Sequence, residues 1–133
     1  MSSKKNNFWL VVEDDDDDFF LFCRACTQAL HPEPIIHRAK DGLFAKTLLG
    51  CITPGLIVSD LKMPGLNGLE LLEWLRGQDR LKNLRFVLLT NSRLEQDMKR
   101  AHRLGVDDYR VKPSEFTNLV QLIREIEAGK TIA

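Results

Sequence analysis

The sequence has no excess of charge of either sign, few cysteines and no long apolar segment. Its 133 residues carry 19 basic and 19 acidic side chains, so the formal net charge is zero. A neutral chain gives no electrostatic reason to expect nucleic acid or an anionic membrane as a partner. No apolar run approaches the roughly 20 residues that span a bilayer. We therefore expect no membrane-spanning helix.

The three cysteines are too few for a disulfide framework, and their number is odd. Cys23 and Cys26 have the spacing of a CxxC motif, but no second CxxC or histidine pair completes a zinc site. They lie within an apolar helical pattern, so we interpret them as small buried hydrophobic residues. Residues 1–7 are polar and lack the apolar stretch of a secretion signal. Together these features predict a protein of the reducing cytoplasm.

Short apolar runs alternate with longer segments of helical period along the chain. The predicted strands cover residues 8–12, 35–36, 56–60, 86–90 and 107–111. The predicted helices cover residues 19–30, 41–49, 69–77, 94–104 and 115–127. Apolar runs of this length suit strands buried on both faces, and the alternation predicts an α/β protein with a parallel sheet between two layers of helices. We expect one domain over residues 8–128, a disordered start (1–7) and a short tail (129–133).

Polar side chains follow four of the predicted strands. Ligands of an open parallel sheet bind beyond the carboxyl ends of its strands, so these side chains are expected to meet there. Clustered carboxylates repel one another unless a cation joins them, and oxygen ligands without His or Cys select an ion such as Mg²⁺. A carboxylate beside Mg²⁺ is a nucleophile for phosphoryl transfer, which a lysine and a hydroxyl would assist. The residues concerned are Glu13, Asp14, Asp15, Asp60, Thr90 and Lys112.

The sequence resembles the receiver domain of two-component response regulators. Four motifs carry the resemblance in the family's order and with similar spacing: VVEDD (11–15), IVSDLKMPGLNG (57–68), VLLT (87–90) and YRVKP (109–113). The resemblance implies a flavodoxin-like, doubly wound sheet of five parallel strands with five helices. It also implies a phosphoacceptor signalling switch that catalyses only its own phosphorylation and dephosphorylation, rather than a turnover enzyme.

The resemblance implies a role for each residue of the acidic motifs. Asp60 would accept a phosphoryl group from a sensor histidine kinase or a phosphotransfer protein. Mg²⁺ would be the cofactor, held by the side chains of Glu13, Asp14 and Asp60 and by the backbone carbonyl of Lys62. No organic cofactor is implied.

The resemblance also implies roles for residues near the ends of the fourth and fifth strands. Thr90 and Lys112 would contact the phosphoryl group, and Tyr109 would follow Thr90 inward on activation. The Lys112–Pro113 peptide bond would be cis. Asn91 stands where many receivers carry a smaller residue, and its side chain would alter the dephosphorylation rate.

Partners follow from the same resemblance. A downstream protein, or a second copy of the chain, would bind the surface of the fourth helix, fifth strand and fifth helix, with neither nucleic acid nor membrane involved. The last predicted helix ends close to the end of the sequence and leaves no room for an output domain. The acid-rich start followed by aromatic residues is similar to the small receivers partnered with bacterial phytochrome-type kinases.

Simpler interpretations remain for parts of the acidic run. Asp16, Asp17 and Asp18 form a solvated helix start on this view, and any of them could cap that helix. A calcium loop is disfavoured because Phe19 and Ala25 stand where such a loop needs Gly and Glu.

Three other functions compete with the switch. A phosphatase with an aspartate nucleophile is disfavoured because Lys62 stands where such enzymes commonly carry a second acid. A nucleotide binder is disfavoured because acids, not a glycine-rich loop, follow the first strand. A receiver-fold scaffold that is never phosphorylated remains open.

Overall fold

A computed structural model describes residues 7–129 and places five parallel strands in one sheet. The strands are β1 (Phe8–Val12), β2 (Ile35–Ala39), β3 (Leu56–Ser59), β4 (Phe86–Thr90) and β5 (Asp108–Val111). The helices are α1 (Asp16–Ala29), α2 (Gly42–Leu49), α3 (Gly68–Arg76), α4 (Glu95–Arg103) and α5 (Phe116–Glu127). The strand order is β2-β1-β3-β4-β5, which is that of a flavodoxin-like doubly wound sheet. The predicted fold class is thus confirmed.

Two apolar clusters cover the two faces of the sheet, because successive side chains of a strand point to opposite sides. Leu10, Val12, Ile57, Phe86 and Leu88 pack on one face with residues of α2, α3 and α4. Trp9, Val11, Val58, Val87 and Leu89 pack on the other face with residues of α1 and α5. Every residue of β3 and β4 is buried, and both strands contribute side chains to both clusters.

Two elements differ from their predicted extents by three residues at one end, whereas the other elements differ by at most one residue at either end. β2 continues to Ala39, beyond the apolar pair that predicted it, because it is an edge strand. It pairs only with β1 and leaves His37 exposed. Helix α1 begins at Asp16, three residues before the first apolar residue, since Asp15 is its N-cap and accepts a 2.8 Å hydrogen bond from the amide of Asp18. The expectation that Asp16, Asp17 or Asp18 caps the helix is therefore wrong.

Helices α3 and α4 are anchored very differently. In α3, Asn67 and Glu70 form a reciprocal capping box, and five residues of the helix are buried. In α4 no side chain caps the amino end, and Ala101 is its only buried residue. The thin apolar stripe predicted for this helix is present.

Three smaller predictions concern the cysteines, membrane helices and termini. Cys26 is fully buried, Cys23 is partly buried, and both are free thiols. Between residues 7 and 129 no helix combines the length and apolar character that crossing a membrane requires. The predictions for residues 1–6 and 130–133 lie outside the described residues, whereas the carbonyl of Asn7 accepts a 2.8 Å hydrogen bond from Ile35.

Candidate phosphoacceptor and metal site

Three carboxylates meet at the carboxyl ends of β1 and β3. These strands are adjacent and in parallel register, with Val12 opposite Ser59, so the residues that follow them are neighbours. Glu13, Asp14 and Asp60 each offer a carboxylate oxygen, and these oxygens lie within 4.8 Å of one another. The sequence predicted this meeting of acids from strand ends alone.

Glu13 is the buried member of this acid trio, with only 6% of its surface exposed. Burial raises the pKa of its carboxyl, although the ammonium of Lys112 and the amide of Asp15 oppose that shift. Its Oε2 accepts a 3.1 Å hydrogen bond from Asp15, and its Oε1 accepts a 2.9 Å bond from Lys112. Asp14 is exposed and leaves the trio open to solvent. Three oxygen donors with one open side fit a hard divalent cation such as Mg²⁺.

The two carboxylate oxygens of Asp60 have different neighbours. Its Oδ1 accepts a 2.7 Å hydrogen bond from the amide of Leu61, while its Oδ2 lies 3.3 Å from the ammonium of Lys112. The amide of Gly68 donates a 2.8 Å bond to the carbonyl of Leu61, which ties the loop after β3 to the start of α3. A side-chain carbon at Gly68 would collide with the carbonyl oxygen of Asp60. This close approach fixes the backbone that carries Asp60.

Lys112 reaches the acids from the end of β5. Its amide donates a 2.8 Å bond to the carbonyl of Thr90, and its Nζ contacts Asp18 (2.8 Å), Glu13 (2.9 Å) and Asp60 (3.3 Å). Burial by itself lowers the pKa of this ammonium, but the three carboxylates outweigh burial and hold the pKa above its ordinary value. Lys112 therefore stays charged and acts as a fixed cation inside the acid cluster.

Thr90 and Tyr109 are linked through Ser92. The hydroxyl oxygen of Thr90, which is buried, accepts a 3.2 Å hydrogen bond from the amide of Ser92. Tyr109 donates a 3.0 Å bond to the carbonyl of Ser92, and Ser92 donates a 2.6 Å bond to Asp97 on α4. Ser92 thus connects the hydroxyl, the aromatic side chain and α4. No motif in the sequence pointed to this residue.

An open depression of about 510 Å³ brings these groups to one surface. Its walls include Asp14, Asp60, Thr90, Asn91 and Lys62. One solvent-accessible space is therefore shared by these five residues, which include the predicted phosphoacceptor Asp60 and the predicted metal ligand Asp14.

Two residues that sequence analysis did not place at the site, Arg38 and Asp18, contact residues there. Arg38 on β2 donates a 3.0 Å bond to the carbonyl of Glu13 and pairs with Asp16 at 2.8 Å. Asp18, expected to be a solvated residue of the helix start, instead lies 2.8 Å from Lys112 and is 40% exposed. These contacts join residues that are far apart in the sequence, so no local sequence pattern predicts them.

The predicted cis bond at Lys112–Pro113 is wrong. The cis bond of the described residues is His31–Pro32, between α1 and β2. Cis and trans forms of a bond before proline differ by only about 0.5–1 kcal/mol, so the surrounding structure decides. With the trans bond, Nζ of Lys112 lies 3.3 Å from Asp60.

The chain belongs to the response regulator receiver domain family, whose pattern it matches over residues 10–124. It is thus a receiver domain of two-component response regulators, a class that acts as a phosphoacceptor switch and interacts with histidine kinases or phosphotransfer proteins.

Individual relatives agree with this assignment. The chain is 33% identical over 98 residues to the nitrate/nitrite response regulator NarL of Escherichia coli, an alignment covering 74% of this chain and 44% of NarL. It thus spans less than half the length of that relative. Its fold is similar to the phosphorylated cyanobacterial phytochrome response regulator RcpA (TM-score 0.83, 28% identity, 90% of each chain). It is also similar to the Mn²⁺-bound response regulator Rcp1 (TM-score 0.81, 27% identity, 91% of each chain).

Proposed function

We propose that Asp60 accepts a phosphoryl group from a histidine kinase or phosphotransfer protein, with Mg²⁺ bound beside it, and that this switches protein–protein contacts. The main support for this proposal is the position of Asp60. Its carboxylate lies within 4.8 Å of those of Glu13 and Asp14 and 3.3 Å from the ammonium of Lys112. The phosphorylated state of RcpA and the bound Mn²⁺ of Rcp1 support this reading by similarity.

The metal site would consist of Glu13, Asp14 and Asp60, completed by the backbone carbonyl of Lys62. Mg²⁺ bound there would supply positive charge to the oxygens of the transferred group. Lys62 borders the depression that Asp60 also borders, which supports its carbonyl as the further ligand.

In the transfer itself, a carboxylate oxygen of Asp60 attacks the phosphorus of a phosphohistidine. The P–N bond breaks, and the imidazole leaves with the electron pair. Lys112 places its ammonium against a phosphoryl oxygen, and the hydroxyl of Thr90, which already accepts a bond from Ser92, donates to another. Asn91 borders the same space and would modulate access of the hydrolytic water. The chain therefore catalyses only its own phosphorylation and dephosphorylation.

The structural change caused by phosphorylation would be transmitted from Thr90 to α4 through Ser92 and Tyr109. Phosphorylation would bias an existing equilibrium between two arrangements of this segment. The weak burial of α4 supports its movement, and the surface of α4, β5 and α5 would then bind a downstream protein or a second copy of the chain.

The similarity to RcpA, named as a phytochrome response regulator, supports a phytochrome-type kinase as the donor. We also assign the protein to the cytoplasm, where disulfides are rare, since its cysteines are free thiols.

Intact-mass measurement after incubation with acetyl phosphate and Mg²⁺ tests the proposal. We expect one added phosphoryl group on the wild type and none on Asp60→Asn. Asp79→Asn, which changes an exposed aspartate of the same charge, should be phosphorylated like the wild type. An unchanged mass of the wild type would support the scaffold instead, and a phosphorylated Asp60→Asn would place the phosphoacceptor elsewhere.

A further inference from the structure

Lys112 has one more carboxylate partner than the proposed chemistry uses. An ammonium group has three N–H donors and no acceptor. In this protein Asp18, Glu13 and Asp60 lie within reach of those donors, at 2.8, 2.9 and 3.3 Å. Asp18 is the nearest of the three, although it belongs to neither the acid trio nor the strand ends.

Asp18 differs from the other two partners in what a metal ion would do to it. Glu13 and Asp60 belong to the group of carboxylates that could hold a cation, and Asp18 does not. A divalent cation bound by Glu13 and Asp60 would share these two carboxylates with the ammonium of Lys112. The divalent cation and the ammonium would therefore lie close together and repel each other. Asp18, which is not among those metal-binding carboxylates, would still face the ammonium.

The position of Asp18 suits it to that task. It lies in the first turn of α1, where its amide is fixed by a 2.8 Å bond to the capping carboxylate of Asp15. The side chain of Lys112 is only 14% exposed, so the ammonium is screened by water on few sides. Asp18 and Asp60 border the same two cavities, and Lys112 borders the more enclosed one.

We propose that Asp18 is a positioning residue for Lys112: it holds the ammonium beside Asp60 when a divalent cation occupies Glu13 and Asp60, and so lowers the electrostatic cost of metal binding. This inference rests on the proposed function, because it assumes that the acid trio binds Mg²⁺. It assigns a role to a carboxylate that makes no contact with the metal or with the phosphoryl group.

Asp17 offers a matched control for charge. It is exposed and lies in the same first turn of α1, so its neutralisation removes the same charge from the same helix end. Calorimetric titration with Mg²⁺ should give Asp18→Asn an affinity about fivefold below the wild type, the effect of an ion pair worth about 1 kcal/mol. Asp17→Asn should lose less than about twofold, since separated exposed charges are screened by salt.

A double-mutant cycle shows whether Asp18 acts through Lys112. In a Lys112→Met background, the further change Asp18→Asn should weaken Mg²⁺ binding no more than Asp17→Asn does there. Asp18→Glu, which keeps the charge, should recover most of the wild-type affinity. Equal losses for Asp18→Asn and Asp17→Asn overturn the inference, as does an Asp18→Asn effect that persists undiminished without Lys112.

The same measurements separate this inference from the proposed function. A wild type that takes up neither Mg²⁺ nor a phosphoryl group overturns both. A wild type that binds Mg²⁺ and is phosphorylated, with Asp18→Asn indistinguishable from Asp17→Asn, overturns only the role of Asp18. Thermal unfolding of each variant identifies any loss of affinity that comes from misfolding, and Asp18→Glu then serves as the folded variant.

Discussion

The hydroxyl of Tyr109 donates a 3.0 Å hydrogen bond to the backbone carbonyl oxygen of Ser92, although 17 positions separate the two residues. The bond joins β5 to the loop that follows β4. The amide of the same Ser92 bonds Thr90, so the predicted switch residues are physically connected.

Tyr109→Phe should lower the free energy of unfolding by about 1 kcal/mol, because it leaves a partly buried carbonyl without its donor. Equilibrium unfolding in urea measures the change. Thr47→Val is the control, since it removes an exposed hydroxyl bond to the carbonyl of Leu43 that water replaces. An unchanged unfolding midpoint for Tyr109→Phe would show that the bond contributes nothing.

Tyr109 should ionise at higher pH in the folded protein than in the unfolded chain. Burial raises its pKa above the ordinary 10.0; the carboxylates of Asp97 and Asp60 add to the shift, and the side-chain hydroxyl of Ser92 opposes it. Since the folded pKa is the higher one, this stabilising contribution is complete below about pH 10 and is lost as pH rises through the folded pKa. The protein has a single tyrosine, so phenolate absorbance follows this group alone. Coincident titrations in buffer and in urea would contradict the shift.

Lys112→Met should destabilise the metal-free protein by about 2 kcal/mol, because three carboxylates lose the cation they share. Mg²⁺ should restore most of the loss and stabilise the variant more than the wild type, which urea unfolding with and without Mg²⁺ measures. Lys82→Met, whose ammonium has one exposed partner 4.0 Å away, should behave like the wild type. Equal stabilisation of Lys112→Met and the wild type by Mg²⁺ would contradict the role of the Lys112 ammonium as the cation that the three carboxylates share.

Gly68→Ala should destabilise the protein by about 3 kcal/mol, because the new methyl group meets the backbone carbonyl of Asp60. It should also slow phosphorylation by acetyl phosphate, since the strain falls on the backbone that carries Asp60. Gly77→Ala is the paired control: its added carbon makes only ordinary contacts, at 3.5 Å or more. Equal stability of the two variants would refute the close packing at Gly68.

The local pattern of apolar residues was sufficient to predict the extents of strands that are buried on both faces. β4 occupies the predicted residues 86–90, because five consecutive apolar or small residues fit only a central strand. The edge strand β2 was predicted too short because His37 and Arg38 break the apolar run without ending the strand. The cap of α1 could not be predicted from the sequence, because four consecutive aspartates, Asp15 to Asp18, have the same capping chemistry. Only the backbone conformation at the start of the helix selects Asp15.

The strand-end rule predicted which residues would meet at the site, but not all of their contacts. It brought Glu13, Asp60 and Lys112 together from segments far apart. The contact between Lys112 and Asp18 spans 94 positions and depends on how α1 is oriented against β5. Such a distance is set by packing, which no motif encodes.

The unequal anchoring of α3 and α4 has a consequence for how the molecule opens. Local unfolding takes the least costly route, which is set by buried contacts and capped ends. Backbone amides of α4 should therefore exchange with solvent deuterium well before those of α3, although both helices pack on the same face of the sheet. Any strain created at Asp60 would be released on the side of α4, while the loop between β3 and the capped start of α3 stays in place.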